Sequence, residues 1–259
     1  MKVIAITQAR TGSTRLPGKV FETIANKPLL QLHLERVNAA KTIDQVVVAT
    51  TDLDRDDAIE TAVIDWGFAV SRGSENDVLS RFYHVAQPLA PDYVVRVTSD
   101  CPFVDPELID RIVQHTIEQN VDYCSNTLVE HYPDGQDIEV MTFRALAQAY
   151  REAKLASDRE HVTPYIKRNS TAMGKGLFKA VNYGCEANYN AVRMCVDEPR
   201  DLLVARALAE GCGLHADWLT YTAYYLNHPS IATMNGEIIR NEGYLKSILS
   251  DKKGGEEAE

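Results

Sequence analysis

Basic residues and long apolar runs are both scarce in this 259-residue sequence. Its 27 Lys and Arg stand against 37 Asp and Glu, which gives a formal net charge of −10. A protein that follows a nucleic-acid backbone needs a basic surface, so this balance argues against general nucleic-acid binding. No apolar run approaches the ~20 residues of a membrane span, and the N-terminal "MKVIAIT" is shorter than a signal peptide requires. We therefore expect no membrane span and no nucleic-acid partner.

Cysteine is also scarce, and its five copies form no CxxC pair. An odd count without paired spacing argues against a disulfide framework, and no His/Cys cluster has the spacing of a zinc site. Free thiols in a reducing compartment are the simplest interpretation, so we expect a cytoplasmic protein.

The sequence does contain a 45% apolar share and a regular alternation of strand and helix patterns. Continuous apolar runs typical of buried parallel strands alternate with segments of helical spacing, and Pro106 stands where a helix would begin. The alternation predicts an α/β fold with a mostly parallel central sheet flanked by helices. The predicted strands are 2–7, 45–50, 68–73 and 92–100, and the predicted helices are 27–41, 54–67, 76–87 and 105–120.

The pattern changes after residue 120, where strand-like pieces are broken by a "PDG" turn signal. We interpret 121–190 as an insertion in a single domain spanning 1–250, because the alternation resumes after it. The charged, glycine-containing tail 251–259 has the composition of a disordered segment. The elements predicted in this half are helices over 142–154 and 158–168, strands within 175–184 and 191–197, and a helix over 198–211 that closes on Gly211.

The first predicted strand runs into "QARTGSTRLPGK", residues 8–19, which collects cations without a carboxylate. A Walker A motif needs four residues between its glycines and a Ser or Thr after its Lys. Here five residues separate Gly12 from Gly18, and Val20 follows Lys19. The loop also lacks the G-x-G-x-x-G pattern, so a dinucleotide site has no support.

The same loop nevertheless has the chemistry of a polyphosphate site. Backbone amides of a Gly/Ser/Thr loop can form an anion-binding concavity, and open α/β sheets bind ligands beyond the carboxyl ends of their strands. Arg10, Arg15 and Lys19 would supply the positive charge. A solvated basic loop also explains this composition, so the loop favours phosphate binding without deciding it.

Two carboxylates follow apolar runs elsewhere in the chain. Asp100 ends the predicted strand 92–100, and Asp197 ends the predicted strand 191–197. If both strands join one sheet, both side chains reach the edge where the loop lies, and hard oxygen ligands there fit Mg²⁺ better than zinc. An N-cap role before Pro199 explains Asp197 equally well.

A third group of polar residues lies in the insertion. The segment "PDGQDIEV" places Asp137 and Glu139 two residues apart in a predicted strand, hence on one face. They would accept hydrogen bonds from sugar hydroxyls, or they form an exposed face. His161 follows Ser157 and Glu160, a predicted capping box, and the sequence leaves it between a helix surface and a ligand contact.

Seven segments in this order carry a family resemblance: "QARTGSTRLPGK", "VVVATTD", "SRGSENDVLSRFY", "VRVTSDCPFVDPELID", "YPDGQDIEV", "REHVTPYI" and "VDEPRDL". Together they resemble the cytidylyltransferases, in particular the spore coat polysaccharide biosynthesis branch, and are similar to CMP-KDO and CMP-acylneuraminate synthetases. The resemblance covers residues 2–210. It implies a Rossmann-like nucleotidyltransferase fold with an inserted dimerisation or acceptor segment, a homodimer, and transfer of CMP from CTP to an acidic sugar-like acceptor with release of pyrophosphate.

The resemblance also implies roles for individual residues. Arg10, Arg15 and Lys19 would be catalytic, Asp100 and Asp197 would hold Mg²⁺, and the acceptor would meet Asp137, Glu139 and His161. The nucleotide-binding positions would be Ala9, Arg10, Gly12, Ser13, Arg15, Lys19, Thr51, Asp52, Arg72 and Thr98.

One departure bears on specificity. The KDO and acylneuraminate enzymes carry Gln two residues before the position of Asp100, whereas this chain has Thr98. Cytosine recognition by that Gln is therefore not implied, and the preference for CTP rests on the branch resemblance. A KDO-like or nonulosonate sugar acid is the default acceptor, and a phosphorylated small molecule is the alternative.

Two rival functions use a similar nucleotide-binding half. A metal-dependent glycosyltransferase would usually show D-x-D where this chain has "SDCP". A non-catalytic nucleotide sensor would have lost Lys19 or a metal-binding Asp, and both are present.

Overall fold

The computed structural model describes residues 1–256, with side chains as far as Asp251. The strands are β1 (Val3–Gln8), β2 (Thr23–Ile24), β3 (Lys27–Pro28), β4 (Gln45–Thr51), β5 (Ala69–Gly73), β6 (Tyr93–Thr98), β7 (Tyr123–Ser125), β8 (Glu139–Thr142) and β9 (Ala180–Asn182). The helices are α1 (Leu29–Asn38), α2 (Asp57–Asp65), α3 (Val78–Leu89), α4 (Pro106–Glu118), α5 (Phe143–Glu152), α6 (Ala156–His161), α7 (Pro164–Arg168), α8 (Pro199–Cys212), α9 (Trp218–Asn227), α10 (Pro229–Asn235) and α11 (Glu242–Glu256). None of the helices in this described part combines the length and apolarity that crossing a membrane requires.

A seven-stranded sheet in the order β5-β4-β1-β6-β8-β7-β9 forms the centre of the fold. β1 pairs in parallel with β4 and β6, and β4 pairs in parallel with β5. β8 is antiparallel to β6 and β7, while β7 and β9 are parallel. β1 and β4 are buried nearly throughout, as continuous apolar runs require. The predicted α/β fold with a mostly parallel sheet is confirmed.

Helices cover the two faces of the sheet with separate apolar layers. One layer packs α1, α2 and α4 against the sheet, and the other packs α3, α5 and α7 against it. A third cluster joins α8, α9 and α10 to α1 and to Ile24 of the small β2–β3 hairpin. Both faces are therefore closed, and the carboxyl ends of β1, β4 and β6 remain as the edge at which such sheets bind ligands.

Local caps explain several helix boundaries. The Asp105 carboxylate accepts a hydrogen bond from the Leu108 amide at 3.0 Å, and Pro106 occupies the first turn of α4 as predicted. Gly67, at φ +82°, follows the end of α2, where a left-handed conformation favours glycine.

In the second half, the predicted end of one helix is wrong, and an alternative that the sequence left open at its start is decided. α8 runs past Gly211 to Cys212 and ends at Gly213, whose φ of +78° suits glycine. The N-cap of α8 is Glu198, which forms a capping box with Asp201, so Asp197 stands free of that role. The sequence pattern offered acids at three nearby positions, and only the backbone geometry distinguishes them.

The predicted helix over 158–168 is also different in the structure. It divides into α6 and α7 because Val162, at φ +71°, interrupts the helical backbone between them. α6 begins at Ala156, so Ser157 lies inside the helix and the predicted Ser157–Glu160 capping box is wrong.

The predicted strand over 191–197 is wrong, because this segment bonds to two separate loops rather than along one strand. The amide of Met194 donates to the Asp134 carbonyl at 2.7 Å, and the amide of Val196 donates to the Asp100 carbonyl at 2.7 Å. Arg193 forms only an isolated bridge, with Asp134. These loop contacts still place Asp197 beside Asp100, although the sequence pattern did not predict them.

The insertion and the tail also have definite places. Residues 121–190 contribute β7, β8 and β9 to the central sheet. Residues 251–259 were expected to be disordered. In the structure α11 continues through Glu256, and residues 257–259 lie outside the described residues.

Candidate functional site

A cleft of about 1440 Å³ opens at the carboxyl ends of the parallel strands. The 8–19 loop forms one end, which we call the phosphate end. The region of Asp137, Glu139 and His161 forms the other, which we call the acceptor end. The structure therefore brings the loop, the two predicted metal carboxylates and the three predicted acceptor residues into one cavity.

Lys19 is the centre of the phosphate end. Its ammonium donates to Asp197 at 2.8 Å, to Asp100 at 3.3 Å and to the Val196 carbonyl at 2.9 Å. Gly18, at φ +69°, turns the chain into the short 3₁₀ helix Lys19–Phe21, from which the Lys19 side chain reaches the carboxylates. One cation therefore lies between two acids that are about a hundred residues apart in the sequence.

The opposite charges of Lys19 and its neighbouring acids determine the protonation of Lys19 and Asp100. Burial alone would raise the pKa of Asp100, but the Lys19 ammonium and the Thr98 hydroxyl outweigh it and hold that pKa well below its ordinary value. Burial alone would lower the pKa of Lys19, but Asp100 and Asp197 raise it above the usual range. Asp100 and Lys19 are therefore both ionised at neutral pH.

The two arginines of the loop differ in their surroundings. Arg15 lies 3.1 Å from Asp197 and 3.4 Å from Glu242, so it joins the loop to both the carboxylate pair and the C-terminal helix. Arg10 is more exposed and lies 3.3 Å from Glu75. Both arginines line the cleft, as do Ala9, Ser13 and Thr98.

The loop is held in place by Asp56, a residue that the sequence analysis did not identify. Its buried carboxylate accepts from the amide and hydroxyl of Thr11, at 2.7 and 2.6 Å, and from the Thr51 hydroxyl. Burial would raise the pKa of Asp56, but these hydrogen bonds lower it. In the sequence Asp56 is one of four Asp residues, at 52, 54, 56 and 57, that follow the predicted strand 45–50.

Four predicted nucleotide-binding residues do not line the cleft that the described residues form. They are Gly12, Thr51, Asp52 and Arg72. Thr51 is fully buried, and its hydroxyl donates a hydrogen bond to Asp56. Arg72 turns away to pair with Asp57 at 2.6 Å and to donate to the Thr51 carbonyl at 2.9 Å. Thr51 thus supports Asp56, and Arg72 contacts the connection that follows β4.

Glu139 dominates the acceptor end, and its side chain is 3% exposed. It accepts hydrogen bonds from Tyr123 at 2.5 Å and from Thr163 at 2.7 Å, and it pairs with Lys167 at 2.7 Å and with Arg96. Burial would raise the pKa of Glu139, but Lys167 and Arg96 lower it well below the ordinary value. Its oxygens are thus engaged by the protein, and its effect is to hold two cations in the cleft.

Asp137 precedes β8 rather than lying within it, yet it lines the same cleft as Glu139. Its carboxylate accepts a hydrogen bond from Arg240 at 2.5 Å. Burial raises the pKa of Asp137 to about 7 even though Arg240 acts against this shift. Arg240 also lies 3.9 Å from Asp134, so one arginine serves a cluster of acids.

His161 lies at the acceptor end beneath the C-terminal helix. Its Nε2 is 3.0 Å from the Ser247 hydroxyl, and the Tyr244 ring packs edge-on against it at 5.0 Å. Burial lowers the pKa of His161. The imidazole therefore lines the cleft, as predicted, and also contacts its cover.

Arg193 ties the two ends of the cleft together. It lies 2.6 Å from Asp134, 2.9 Å from Asp201 and 3.3 Å from Asp197. Its side chain is 6% exposed, and these acids raise its pKa against the effect of burial. An arginine inside the apolar run "AVRMCVD" was the only sequence signal for this role.

The pair Asp100 and Asp197 fits a magnesium ion in its donor set. Mg²⁺ is usually held by one or two carboxylates together with substrate phosphates and water. Among the described residues, no group of three or more His, Cys, Asp or Glu side chains is arranged to hold a metal. The protein would therefore supply two oxygen ligands, and a polyphosphate would supply others.

Comparison with known proteins places these features in a family. The cytidylyltransferase family model matches residues 4–228. The spore coat polysaccharide biosynthesis protein SpsF of Bacillus subtilis (strain 168) is 36% identical over 220 residues, covering 83% of this chain and 89% of that protein. A 3-deoxy-manno-octulosonate cytidylyltransferase of Pelobacter propionicus is 35% identical over 121 residues, covering 46% of each chain.

A solved structure agrees with the sequence relatives. A cytidylyltransferase from Leptospira borgpetersenii superimposes with a TM-score of 0.85 at 30% identity, covering 93% of this chain and all of that one. The described fold and the sequence matches thus point to one family.

Proposed function

The chain belongs to the cytidylyltransferase family and is a nucleotidyltransferase, and we propose that it transfers CMP from CTP to a sugar acid or a related surface-polysaccharide precursor. The observation that carries the proposal is the single cleft with an array of cations at each end, at Lys19 and at Lys167. One end would receive a triphosphate and the other an acidic acceptor. The homodimer and the cytoplasmic location inferred from the sequence stay predictions.

The phosphate end supports the departure of pyrophosphate. An acceptor hydroxyl oxygen would attack the α-phosphorus of CTP, and the bond from that phosphorus to the β-phosphate bridge would break. Negative charge builds on the phosphoryl oxygens and on the leaving pyrophosphate, and preorganised cations stabilise it. Arg10, Arg15 and Lys19 would exchange their present carboxylate partners for phosphate oxygens.

We propose that Asp100 and Asp197 hold Mg²⁺ when the nucleotide is bound. The ion would supply further neutralisation of phosphate charge. The support is the convergence of both carboxylates on one point of the cleft, where they pair with the Lys19 ammonium. Asp197 is kept in place by Arg193 and by the backbone of Val196, which bonds to the Asp100 carbonyl.

The acceptor end supports an acidic acceptor. Glu139 holds Arg96 and Lys167 at the wall of the cleft. The Arg96 guanidinium and the Lys167 ammonium suit a carboxylate, which is consistent with the sugar acid named for the Pelobacter relative.

A phosphorylated acceptor is the second candidate, since the same cations would hold a phosphate. Pyrophosphate release from each of the four common nucleoside triphosphates, with a panel of acidic sugars and of phosphorylated sugars or alcohols, distinguishes the two. We expect release with CTP and an acidic sugar. Release only with phosphorylated acceptors would favour the second candidate, and no release with CTP and any acceptor would overturn the proposal.

A further inference from the structure

The chain continues beyond the family match and returns to the cleft. The family model ends at residue 228, and we call residues 239–251 the covering segment. Seven consecutive residues of this segment, from Arg240 to Lys246, line the cleft. The family model itself therefore does not describe the segment that covers this cleft.

Several contacts attach the covering segment to the acceptor end. Arg240 donates to Asp137 at 2.5 Å and to the Tyr132 carbonyl at 3.0 Å, and its side chain is 13% exposed. Further along, Ser247 contacts His161 at 3.0 Å and donates to Glu160 at 2.8 Å. Two of the three predicted acceptor residues are thus engaged by the segment.

One ion pair attaches the segment to the phosphate end. Glu242 lies 3.4 Å from Arg15, and Lys246 lies 2.7 Å from Glu242 within the same helix. The side chains of Arg15 and Glu242 are 32% and 35% exposed, so solvent screens the pair and it is weak. Arg15 is also a residue that the proposed function assigns to the triphosphate.

We propose that the covering segment is a lid latched by Glu242 on Arg15, and that the triphosphate of CTP releases this latch. The inference rests on the proposed function. A carboxylate and a triphosphate cannot share one guanidinium without repulsion, because their like charges would lie a few ångströms apart. The Arg15 guanidinium therefore binds either Glu242 of the lid or the triphosphate of the nucleotide.

The latch couples the two ends of the cleft. Tyr244 and Ser247 cover His161, and Arg240 occupies Asp137, so an acceptor reaches its end of the cleft only after the lid has moved. CTP removes the contact at Arg15, which is one of several that hold the lid, and so raises the fraction of molecules in which the lid has moved. CTP binding therefore favours entry of the acceptor.

The test uses the full-length protein and the variant Glu242→Gln, which removes the latch charge. We expect CTP to increase hydrogen–deuterium exchange over 239–251 in the wild type, and CMP to increase it much less. In Glu242→Gln the exchange should already be raised without nucleotide. The dissociation constant for CTP, measured by calorimetry, should fall about two- to fivefold, as the loss of one partly exposed competing ion pair implies.

Two control variants separate the latch from other effects of the substitution. Glu237→Gln removes an exposed charge at the approach to the segment and should leave CTP affinity unchanged. Lys246→Gln removes the pair within α11 while leaving the latch. A gain in CTP affinity in Lys246→Gln equal to that in Glu242→Gln would assign the effect to the helix and overturn the lid.

The remaining outcomes distinguish a failure of the lid proposal from a failure of the proposed function. Wild-type protein that binds no CTP would overturn the proposed function. Normal CTP binding together with unchanged affinity and unchanged exchange in Glu242→Gln would overturn the lid alone. Weaker CTP binding in Glu242→Gln would also overturn it, because Glu242 would then assist the nucleotide.

Discussion

At the scale of single residues, Lys19 carries the clearest consequence. Its ammonium is proposed to move from Asp100 and Asp197 to the β- and γ-phosphates, so Lys19→Ala should weaken binding of CTP much more than binding of CMP. The loss of a charge-assisted hydrogen bond is worth about 1.5–3 kcal/mol, or on the order of ten- to a hundredfold in affinity. Calorimetry with both nucleotides measures the difference.

A lysine outside the cleft serves as the control for this variant. Lys27, which precedes α1, pairs with Glu35 within that helix. Lys27→Ala should leave the affinities for CTP and for CMP unchanged. Equal losses for CTP and CMP in Lys19→Ala would place the ammonium away from the β/γ end.

Glu139 has a different role from the one that its sequence position suggested. Because Tyr123, Thr163 and two cations occupy its oxygens, it acts as a positioning residue for Arg96 and Lys167. Glu139→Gln should lower kcat/KM for the acceptor on the order of tenfold or more while leaving CTP affinity unchanged. Steady-state kinetics with a substrate from the acceptor panel provide the measurement.

The same substitution should lower stability, because it leaves Arg96 and Lys167, whose side chains are 13% and 29% exposed, without the charge of their shared partner. Removing one member of a fully buried ion pair costs about 3–5 kcal/mol in the free energy of unfolding, and the partial exposure of the two cations makes the expected loss smaller. Glu118→Gln, at an exposed position of α4, is the control and should be near neutral. Unchanged stability and kinetics in Glu139→Gln would contradict the positioning role.

At the scale of elements, the 8–19 loop depends on an acid from the next strand–helix connection. Asp56 holds Thr11 and Thr51 together, so Asp56→Asn should lower the free energy of unfolding by about 1–3 kcal/mol and weaken CTP binding without touching the cleft. Denaturant unfolding and calorimetry measure the two effects. Asp54→Asn, an exposed neighbour, should change neither.

The pH dependence of that variant has a definite sign. The folded-state pKa of Asp56 is lowered, so its carboxylate stabilises the fold above its ordinary pKa and loses this contribution as the pH falls toward the folded-state value. The stability difference between wild type and Asp56→Asn should therefore be largest near neutral pH and shrink in acid. A difference that grows in acid would contradict this assignment.

At the scale of the whole molecule, the fold joins Asp100 and Asp197 into one site. If they hold Mg²⁺, EDTA should abolish turnover, and Asp100→Asn should come close to doing so while the folded circular-dichroism spectrum is retained. Asp65→Asn, at the exposed end of α2, should leave turnover unchanged. Full activity of Asp100→Asn in the presence of EDTA would remove the metal assignment.

Sequence patterns predicted those features that depend on one strand and the residues just after it. The 8–19 loop follows β1 and Asp100 follows β6, and both reach the cleft as expected. Arg240 and one of the contacts of Arg193 were missed because the partners, Asp137 and Asp134, lie far along the chain. Helical period and apolar spacing carry no information about such distant ionic contacts, nor about a C-terminal helix that folds back over the cleft.

Lys19 and Arg15 balance the charges of the carboxylate pair in the resting site. Arg193 adds a third positive side chain beside Asp197, and Glu242 adds an acid beside Arg15. A divalent cation that arrives alone meets resident positive charges, and a triphosphate that arrives alone meets resident negative ones. Each therefore gains much more in the company of the other, so the nucleotide and its counter-ion should bind with strong mutual cooperativity, and each lowers the concentration of the other that half-saturation requires.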